Sequence, residues 1–257
     1  MPISPLRLFG LSLLLLVPAA HADSGCPTVR LDRTAAGNIP VWDQGGTPAC
    51  APYSAAFLAS FWARQEWRES GFAADPGTIF EQMKADPAYP ELRSTTKGRT
   101  CSSLAWIEQR LAAGRPGAPL PRCSTFGFRP RNDKQVLETP AAFLGRMHAL
   151  LGKNPGPFAV EYCAGVLYDG DHLIRNRVFH QDLEYLNDEK AQLENFTDAC
   201  SFHASVVVGQ QLRHGRCEFL IRNSWGPDVG EKGYFWVDAR RLARNTLRVI
   251  SMDEAAE

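Results

Sequence analysis

A change in sequence pattern near residue 156 constrains the fold of this chain more than any other feature. Before it, apolar residues recur at helical spacing and predict helices at residues 48–70, 75–83, 104–111 and 139–151. After it, short runs of β-branched and aromatic residues predict strands at 157–162, 204–208, 217–221, 233–237 and 247–252. Helices followed by strands indicate an α+β fold. We expect a helical lobe at roughly residues 45–130 and a sheet lobe at roughly residues 150–257.

Composition limits the classes of partner. The chain has 257 residues, of which 44% are hydrophobic and 22% are charged, so a folded core of ordinary size is expected. The formal net charge is zero. Electrostatic attraction therefore gives no reason to expect binding to nucleic acid or to an anionic membrane.

The first residues have the pattern of a signal peptide. Arg7 precedes an apolar run at residues 8–20, and Ala20-His21-Ala22 is a small-x-small cleavage site. The run is shorter than the roughly 20 apolar residues that a membrane-spanning helix needs. We expect residues 1–22 to be removed and residues 23–257 to form one exported domain. That domain would be secreted or periplasmic, with no stable membrane association after cleavage.

Export to an oxidising compartment changes what the cysteines indicate, but the sequence leaves the disulfide pairing open. The chain has seven cysteines, so at least one remains unpaired in an oxidising compartment. If Cys50 is the unpaired one, six cysteines remain, and they could form disulfides in many different combinations. These six are Cys26, Cys101, Cys123, Cys163, Cys200 and Cys217. We expect Cys101 to pair with Cys123, because the two bracket one helix-and-loop unit. We also expect two of Cys163, Cys200 and Cys217 to pair.

No pattern in the chain is typical of a metal site. No two cysteines have the spacing of a zinc knuckle, and no histidine pair has helical metal-ligand spacing. We therefore expect neither a metal ion nor a cofactor.

Residues 44–57 place a cysteine where a thiol is easily ionised. The glycine-rich turn Gln44-Gly45-Gly46 leads into an apolar helical segment, and Cys50 stands at the junction. The start of a helix presents unpaired backbone N–H groups and the positive end of the helix dipole. Both favour the thiolate, which is the nucleophilic form of cysteine. Cys50 is therefore our candidate nucleophile.

A nucleophilic cysteine needs a base and a group that orients the base. Among the six histidines, His203 differs because it stands at the start of an apolar strand, which would hold its ring rigidly. Asn223 ends a second strand and could accept a hydrogen bond from the imidazole. The neighbouring Trp225 could exclude water from that bond.

These segments, taken together, resemble the papain-like cysteine peptidases. The order is Cys50, His203, Asn223, with Gln44-Gly45 before the cysteine and Asn223-Ser224-Trp225-Gly226 near the end. The histidine and asparagine lie roughly 150 and 170 residues after the cysteine, against about 130–150 in the family. The polar segment at residues 169–198 accounts for the excess. The resemblance implies a two-lobed fold with the active-site cleft between the lobes.

The resemblance also implies a role for each of four residues. Cys50 would attack a peptide carbonyl as a thiolate paired with protonated His203, and His203 would then protonate the leaving amine. Asn223 would orient His203, as the aspartate does in serine peptidases. Gln44 would stabilise the oxyanion together with the backbone N–H of Cys50. The implied partners are a peptide substrate and a proteinaceous inhibitor, and we expect a monomer.

Three residues near the nucleophile depart from the family pattern and keep alternatives open. Thr47, Pro48 and Ala51 replace the usual residues, so the cysteine before the nucleophile and the tryptophan after it are both absent. One alternative is a catalytically inactive peptide-binding module. Another is an acyl transferase of the transglutaminase type, although such triads usually end in aspartate instead of asparagine.

Overall fold

A computed structural model gives the structure of the protein. It describes residues 26–66, 68, 73–88, 100–113, 122–127, 140–152, 156–167 and 202–253. The predicted signal peptide and the polar segment at residues 169–198 lie outside the described residues.

Five α-helices are described: α1 (Cys50–Glu66), α2 (Pro76–Ala85), α3 (Thr100–Ala113), α4 (Pro140–Gly152) and α5 (Ala239–Arg244). The four helices predicted from periodicity are confirmed, with shifted ends. Helix α1 begins at Cys50 instead of at residue 48, so the cysteine is its first residue. The short helix α5 was not predicted, because its arginine-rich sequence has no apolar periodicity.

Helix α1 is the central helix of the fold. Most of its own side chains are apolar or small and are buried, which is typical of a helix inside a core. The expectation that its aromatic residues pack in the core is confirmed for Phe57 and Phe61, which are buried with ring centroids 6.2 Å apart. Helix α1 packs against α3 and against the sheet, so Cys50 is fixed relative to both.

Seven strands form one antiparallel sheet: β1 (Val29–Arg30), β2 (Arg122–Gly127), β3 (Phe158–Cys163), β4 (Phe202–Arg213), β5 (Arg216–Arg222), β6 (Tyr234–Asp238) and β7 (Thr246–Asp253). The main order is β2-β7-β3-β4-β5-β6, and β1 pairs with β4. The five predicted strands are confirmed, and β4 extends well beyond its predicted end. The α+β fold class is therefore confirmed.

Two strands were not predicted. The region at residues 115–130 was expected to be loop because of its prolines, but β2 forms there by pairing along its length with β7. Strand β1 pairs only Val29 and Arg30 with β4. It lies beside Gly209, where a side chain would collide with the carbonyl of Val29. Both strands depend on partners far away in sequence, which local periodicity cannot reveal.

Two disulfides connect distant parts of the chain. The predicted pair Cys101–Cys123 is confirmed and joins α3 to β2. The second disulfide joins Cys26 to Cys217, 191 residues apart, and attaches the segment before β1 to β5. Cys217 is therefore not part of the pair expected among the later cysteines, and Cys200 lies outside the described residues.

Two features are absent from the described part of the chain. None of its helices is long and apolar enough to cross a membrane. Within the same residues, no group of three or more histidine, cysteine or acidic side chains is placed to hold a metal ion.

Candidate active site

The antiparallel pairing of β4 with β5 brings His203 and Asn223 together. Val206 is paired with Arg222, the last residue of β5, so Asn223 follows directly beyond the end of that strand. His203 lies near the start of β4, opposite Tyr162 in β3. Both side chains are buried, with 4% of His203 and 3% of Asn223 exposed.

The Asn223 amide oxygen fixes the orientation of the imidazole. His203 Nε2 lies 2.6 Å from Asn223 Oδ1. The same oxygen accepts hydrogen bonds from the Ser224 backbone N–H at 2.8 Å and from Ser205 Oγ at 3.2 Å. Because these donors need an acceptor, they determine which end of the amide faces the ring. Nε2 therefore carries a proton, and Nδ1 is the acceptor nitrogen of the neutral ring.

Aromatic rings cover the His203–Asn223 bond. The Trp225 ring lies against His203 with centroids 4.8 Å apart and planes 31° apart. Tyr162 approaches His203 edge-on at 5.9 Å, and its hydroxyl donates to Ser205 Oγ at 3.0 Å. Phe235 supports Trp225 from the far side at 6.4 Å. The position of the Trp225 ring agrees with the expectation that Trp225 excludes water from the His203–Asn223 bond.

Cys50 lies next to β4. It is the first residue of α1, is 7% exposed, and is a free thiol. It forms a small apolar cluster with Ala51 and with Ala204, the residue after His203. The fold therefore brings the predicted nucleophile to the residue that adjoins the predicted base.

Burial shifts both predicted catalytic groups toward their neutral forms. It raises the pKa of the Cys50 thiol, although hydrogen bonding to the backbone of Ala204 partly opposes the shift. It lowers the pKa of His203 to about 4, and the bond to Asn223 only partly offsets this effect. At neutral pH these shifts favour a thiol beside a neutral imidazole in the resting site.

The lowered pKa of His203 predicts a loss of stability in mild acid. As the pH falls from about 6.5 to about 4, the unfolded chain binds a proton at His203 while the folded chain does not. The shift corresponds to about 3 kcal/mol of unfolding free energy, present above this window and lost across it. The unfolding free energies of wild type and His203→Gln can be measured with urea at several pH values. Between about pH 6.5 and pH 4, the unfolding free energy should fall more steeply with decreasing pH in wild type than in His203→Gln. An identical pH dependence in both proteins would contradict the shift.

Gln44 is tied to the loop that follows Asn223. Its backbone N–H donates to Ser224 O at 2.8 Å, and its side-chain oxygen accepts from Ser224 Oγ at 2.5 Å. Gln44 Nε2 donates one hydrogen to Thr47 O at 2.7 Å. An amide nitrogen has two hydrogens, and the second hydrogen of Gln44 Nε2 has no acceptor among the described residues. The neighbouring bridge between Asp43 and Trp225 holds the two segments side by side.

Ser205 and Ser224 are site residues that the sequence analysis missed. Ser205 bonds Asn223, and Ser224 bonds both Asn223 and Gln44. The alternation of side chains along a strand could have indicated Ser205, because it lies two residues after His203 on the same face. Ser224 had no comparable signal, since its role depends on the approach of the Gln44 segment.

Glu161 is a third residue that was not predicted. It is a buried carboxylate in β3, paired in register with Ala204 and Arg248. Its Oε1 accepts the Thr100 backbone N–H at 3.0 Å, and its Oε2 accepts from Arg248 Nη1 at 2.7 Å. Glu161 thereby links the first turn of α3 to the sheet. Its negative charge also contributes to raising the pKa of Cys50.

Part of the chain is similar in sequence to cysteine proteases of the papain family. The sequence signature of the papain family of cysteine proteases matches residues 188–252, which include His203 and Asn223. A curated relative, the cathepsin B-like CP1 of Giardia intestinalis, is 36% identical over 72 residues. That match covers 28% of this chain and 24% of the relative, so it spans about a quarter of the relative's length.

Solved structures extend the likeness to most of the chain. Digestive procathepsin L 3 from the larval midgut of Tenebrio molitor superposes with a TM-score of 0.53 at 13% identity, covering 88% of this chain and 69% of that one. The proform of the ragweed pollen cysteine protease Amb a 11 gives a TM-score of 0.53 at 14% identity, covering 92% and 68%. At these identities the likeness establishes the fold.

The chain has a papain-like fold. The resemblance to the papain-like cysteine peptidase family, first recognised from sequence motifs, is confirmed by the family signature, the curated relative and the solved structures.

Proposed function

We propose that this protein is an exported cysteine-type peptidase that hydrolyses peptide bonds through an acyl-enzyme intermediate. The observation that carries the proposal is the 2.6 Å bond from His203 to Asn223, with Cys50 at a helix start against Ala204. A nucleophile, a base and an orienting group in this order are the parts that such a reaction needs. No metal or cofactor takes part in the proposed reaction.

The first half of the reaction forms a thioester. As Cys50 Sγ attacks the substrate carbonyl, its proton passes to His203 Nδ1, because Nε2 is already bonded to Asn223. The thiolate–imidazolium pair implied by the family resemblance therefore forms as the substrate reacts. The free amide hydrogen of Gln44 and the backbone N–H of Cys50 donate to the oxyanion. His203 then gives its proton to the leaving amine.

The second half regenerates the enzyme. His203 removes a proton from a water molecule, which attacks the thioester carbonyl. The intermediate collapses with release of the carboxylic acid, and the proton on His203 returns to the Cys50 sulfur. Asn223 keeps the ring in the same orientation throughout, since its oxygen is held by Ser205 and Ser224.

Export and the class of partner form part of the same proposal. The signal-like residues 1–22 and the disulfides Cys26–Cys217 and Cys101–Cys123 support an oxidising compartment, either secreted or periplasmic. We propose a protein or peptide substrate, a proteinaceous inhibitor as the restraint on activity, and a monomeric enzyme. We propose neither nucleic-acid binding nor lasting membrane association.

A catalytically inactive peptide-binding module is the second candidate function. Two observations favour it: one Gln44 N–H is already bonded to Thr47 O, and burial raises the pKa of Cys50. An acyl transferase of the transglutaminase type is less well supported, because its triads usually end in aspartate where this chain has Asn223. The experiment below distinguishes active enzyme from inactive module.

A peptidyl epoxide directed at thiols tests the proposed function. Wild-type protein should be labelled covalently at Cys50 and should lose its peptide-hydrolysing activity in proportion to labelling. Cys50→Ala should not be labelled at that position, and His203→Ala should be labelled far more slowly because the thiol loses its base. Mass spectrometry of the Cys50 peptide provides the measurement.

The outcomes separate the candidates. Labelling without hydrolysis of any peptide, but with release of amide products when an amine is added, would favour the acyl transferase. Failure of wild type to react would favour the inactive module. Unchanged labelling of His203→Ala at neutral pH would contradict the assignment of His203 as the base.

A further inference from the structure

A small cavity is lined in part by Asn223. Its volume is about 10 Å³, and its lining includes Ser54 and Phe57 from α1, Val206 from β4, and the pair Arg222 and Asn223. This is close to the lower limit for holding one water molecule. The cavity therefore lies between the helix that carries the nucleophile and the strand that leads to Asn223.

Two buried N–H donors belong to residues that line this cavity. Asn223 Nδ2 and Arg222 Nε are both shielded from solvent, and neither has a hydrogen-bond partner among the described residues. The residues themselves are 3% and 4% exposed. A buried donor without a partner is destabilising, because it has lost its hydrogen bonds to water. Because Asn223 and Arg222 both line one cavity, their two unpartnered donors point to a common acceptor.

Arg222 is otherwise held firmly, so its Nε cannot turn away. Its Nη2 donates to the backbone oxygens of Pro40 and Ile39. Its guanidinium lies over the rings of Phe57, at 4.4 Å, and Trp42, at 4.9 Å. Arg222 thus connects α1 and the segment before Gln44 to the end of β5. Burial lowers its pKa to about 10, which leaves it charged at neutral pH.

We propose that one ordered water molecule occupies this cavity and accepts hydrogen bonds from Asn223 Nδ2 and Arg222 Nε. One of its own hydrogens can be donated to Ser54 Oγ, and Ser54 is a buried residue that lines the cavity. That gives three polar partners, within the usual number for a buried water. The size of the cavity favours water over a halide ion, which is larger.

The water positions the amide of Asn223. Ser205, Ser224 and His203 hold only the oxygen end of that amide. A water on the nitrogen end fixes the amide plane from both sides and couples it to Arg222. Asn223 thereby keeps its oxygen directed at His203 Nε2. This consequence for reactivity rests on the proposed function, whereas the existence of the water does not.

A crystal structure of the full mature protein, at a resolution that shows ordered waters, is the first test. We expect one spherical density peak at about 2.7–3.2 Å from both Asn223 Nδ2 and Arg222 Nε. A bromide soak should give no anomalous peak there. Absence of density, or an anomalous bromide peak, would overturn the water site whether or not the protein hydrolyses peptides.

The second test displaces the water. Val206→Ile adds one methylene group at the cavity wall, and Val208→Ile adds the same group to a buried β4 residue that does not line the cavity. We expect the density peak to be missing in Val206→Ile. Iodoacetamide should alkylate Cys50 of this variant roughly tenfold more slowly than in wild type, which is the effect of losing one hydrogen bond. Val208→Ile should react at the wild-type rate.

The alkylation assay does not require peptide hydrolysis, so its failure is separate from failure of the proposed function. Loss of the water in Val206→Ile with an unchanged alkylation rate would overturn the positioning role. Equal slowing in both isoleucine variants would do so as well, because it would indicate a general effect of overpacking. If Val206→Ile does not fold, the wild-type density peak still decides whether the water is present.

Discussion

Replacing His203 with alanine is expected to slow the alkylation of Cys50 by iodoacetamide about a thousandfold near pH 6. In wild type, neutral His203 can accept the thiol proton as the sulfur attacks. Without the ring, reaction depends on the thiolate that forms spontaneously. Burial raises the pKa of the Cys50 thiol above its ordinary value of 9.0, so that fraction is very small.

The pH profile should change as well as the rate. Wild-type reactivity should rise as His203 loses its proton at a pKa of about 4 and should then remain nearly constant toward neutral pH. In His203→Ala the rise should move above pH 9, where Cys50 itself ionises. The measurement is mass-spectrometric quantification of the alkylated Cys50 peptide across a pH series.

A second histidine provides a matched control. His214 is exposed in the β4–β5 turn, where its backbone φ is 50°, and asparagine tolerates that conformation. In His214→Asn, iodoacetamide should therefore alkylate Cys50 at the wild-type rate. If His203→Ala retains wild-type reactivity within about tenfold near pH 6, His203 does not act as the base.

Thiolate absorbance distinguishes a neutral resting site from an ion pair. A neutral Cys50–His203 pair and a thiolate–imidazolium pair contain the same number of protons, so a pH profile alone cannot separate them. Because burial disfavours both charges, we expect no thiolate absorbance in wild type relative to Cys50→Ser near neutral pH. A clear thiolate band would mean that mutual attraction exceeds the cost of burying the charges.

The four predicted site residues were accessible from sequence because each lies at a recognisable local feature. Cys50 follows a glycine-rich turn at a helix start, and His203 and Asn223 lie at strand ends. The structure brings His203 and Asn223 into direct contact and ties Gln44 to Ser224, the next residue. Their chemical roles remain predictions, since geometry alone does not measure reactivity.

Features that depend on packing between distant segments could not be predicted in the same way. In the sequence, Arg222 is a charged residue at the end of an apolar strand, but in the structure the Pro40 carbonyl and the Phe57 ring enclose it. Glu161 similarly became a buried link only because β3 lies beside the start of α3. The pairing register and the approach of a helix decide such cases, and neither leaves a periodic signal in the sequence.

Of the two disulfides among the described residues, Cys26–Cys217 is expected to contribute more to stability. It closes a loop of 191 residues, and in the chain-entropy account a loop of this size contributes about 5 kcal/mol by restricting the unfolded chain. It also holds the segment before β1. Strand β1 itself pairs only two residues with β4. We expect Cys26→Ala combined with Cys217→Ala to lower the unfolding free energy by about 3–5 kcal/mol, measured by urea denaturation.

The other disulfide provides the comparison. Cys101–Cys123 spans 22 residues, so the same account gives it a contribution of about 3 kcal/mol. Replacing Cys101 and Cys123 with alanine should therefore cost roughly 2 kcal/mol less than removing Cys26–Cys217. A larger loss for the shorter loop would mean that native contacts around α3 and β2, and not the entropy of the unfolded chain, determine what each disulfide contributes. Measuring both pairs under the same conditions separates the two explanations. Loop entropy requires that removing Cys26–Cys217 costs more than removing Cys101–Cys123, whereas native contacts do not require this order.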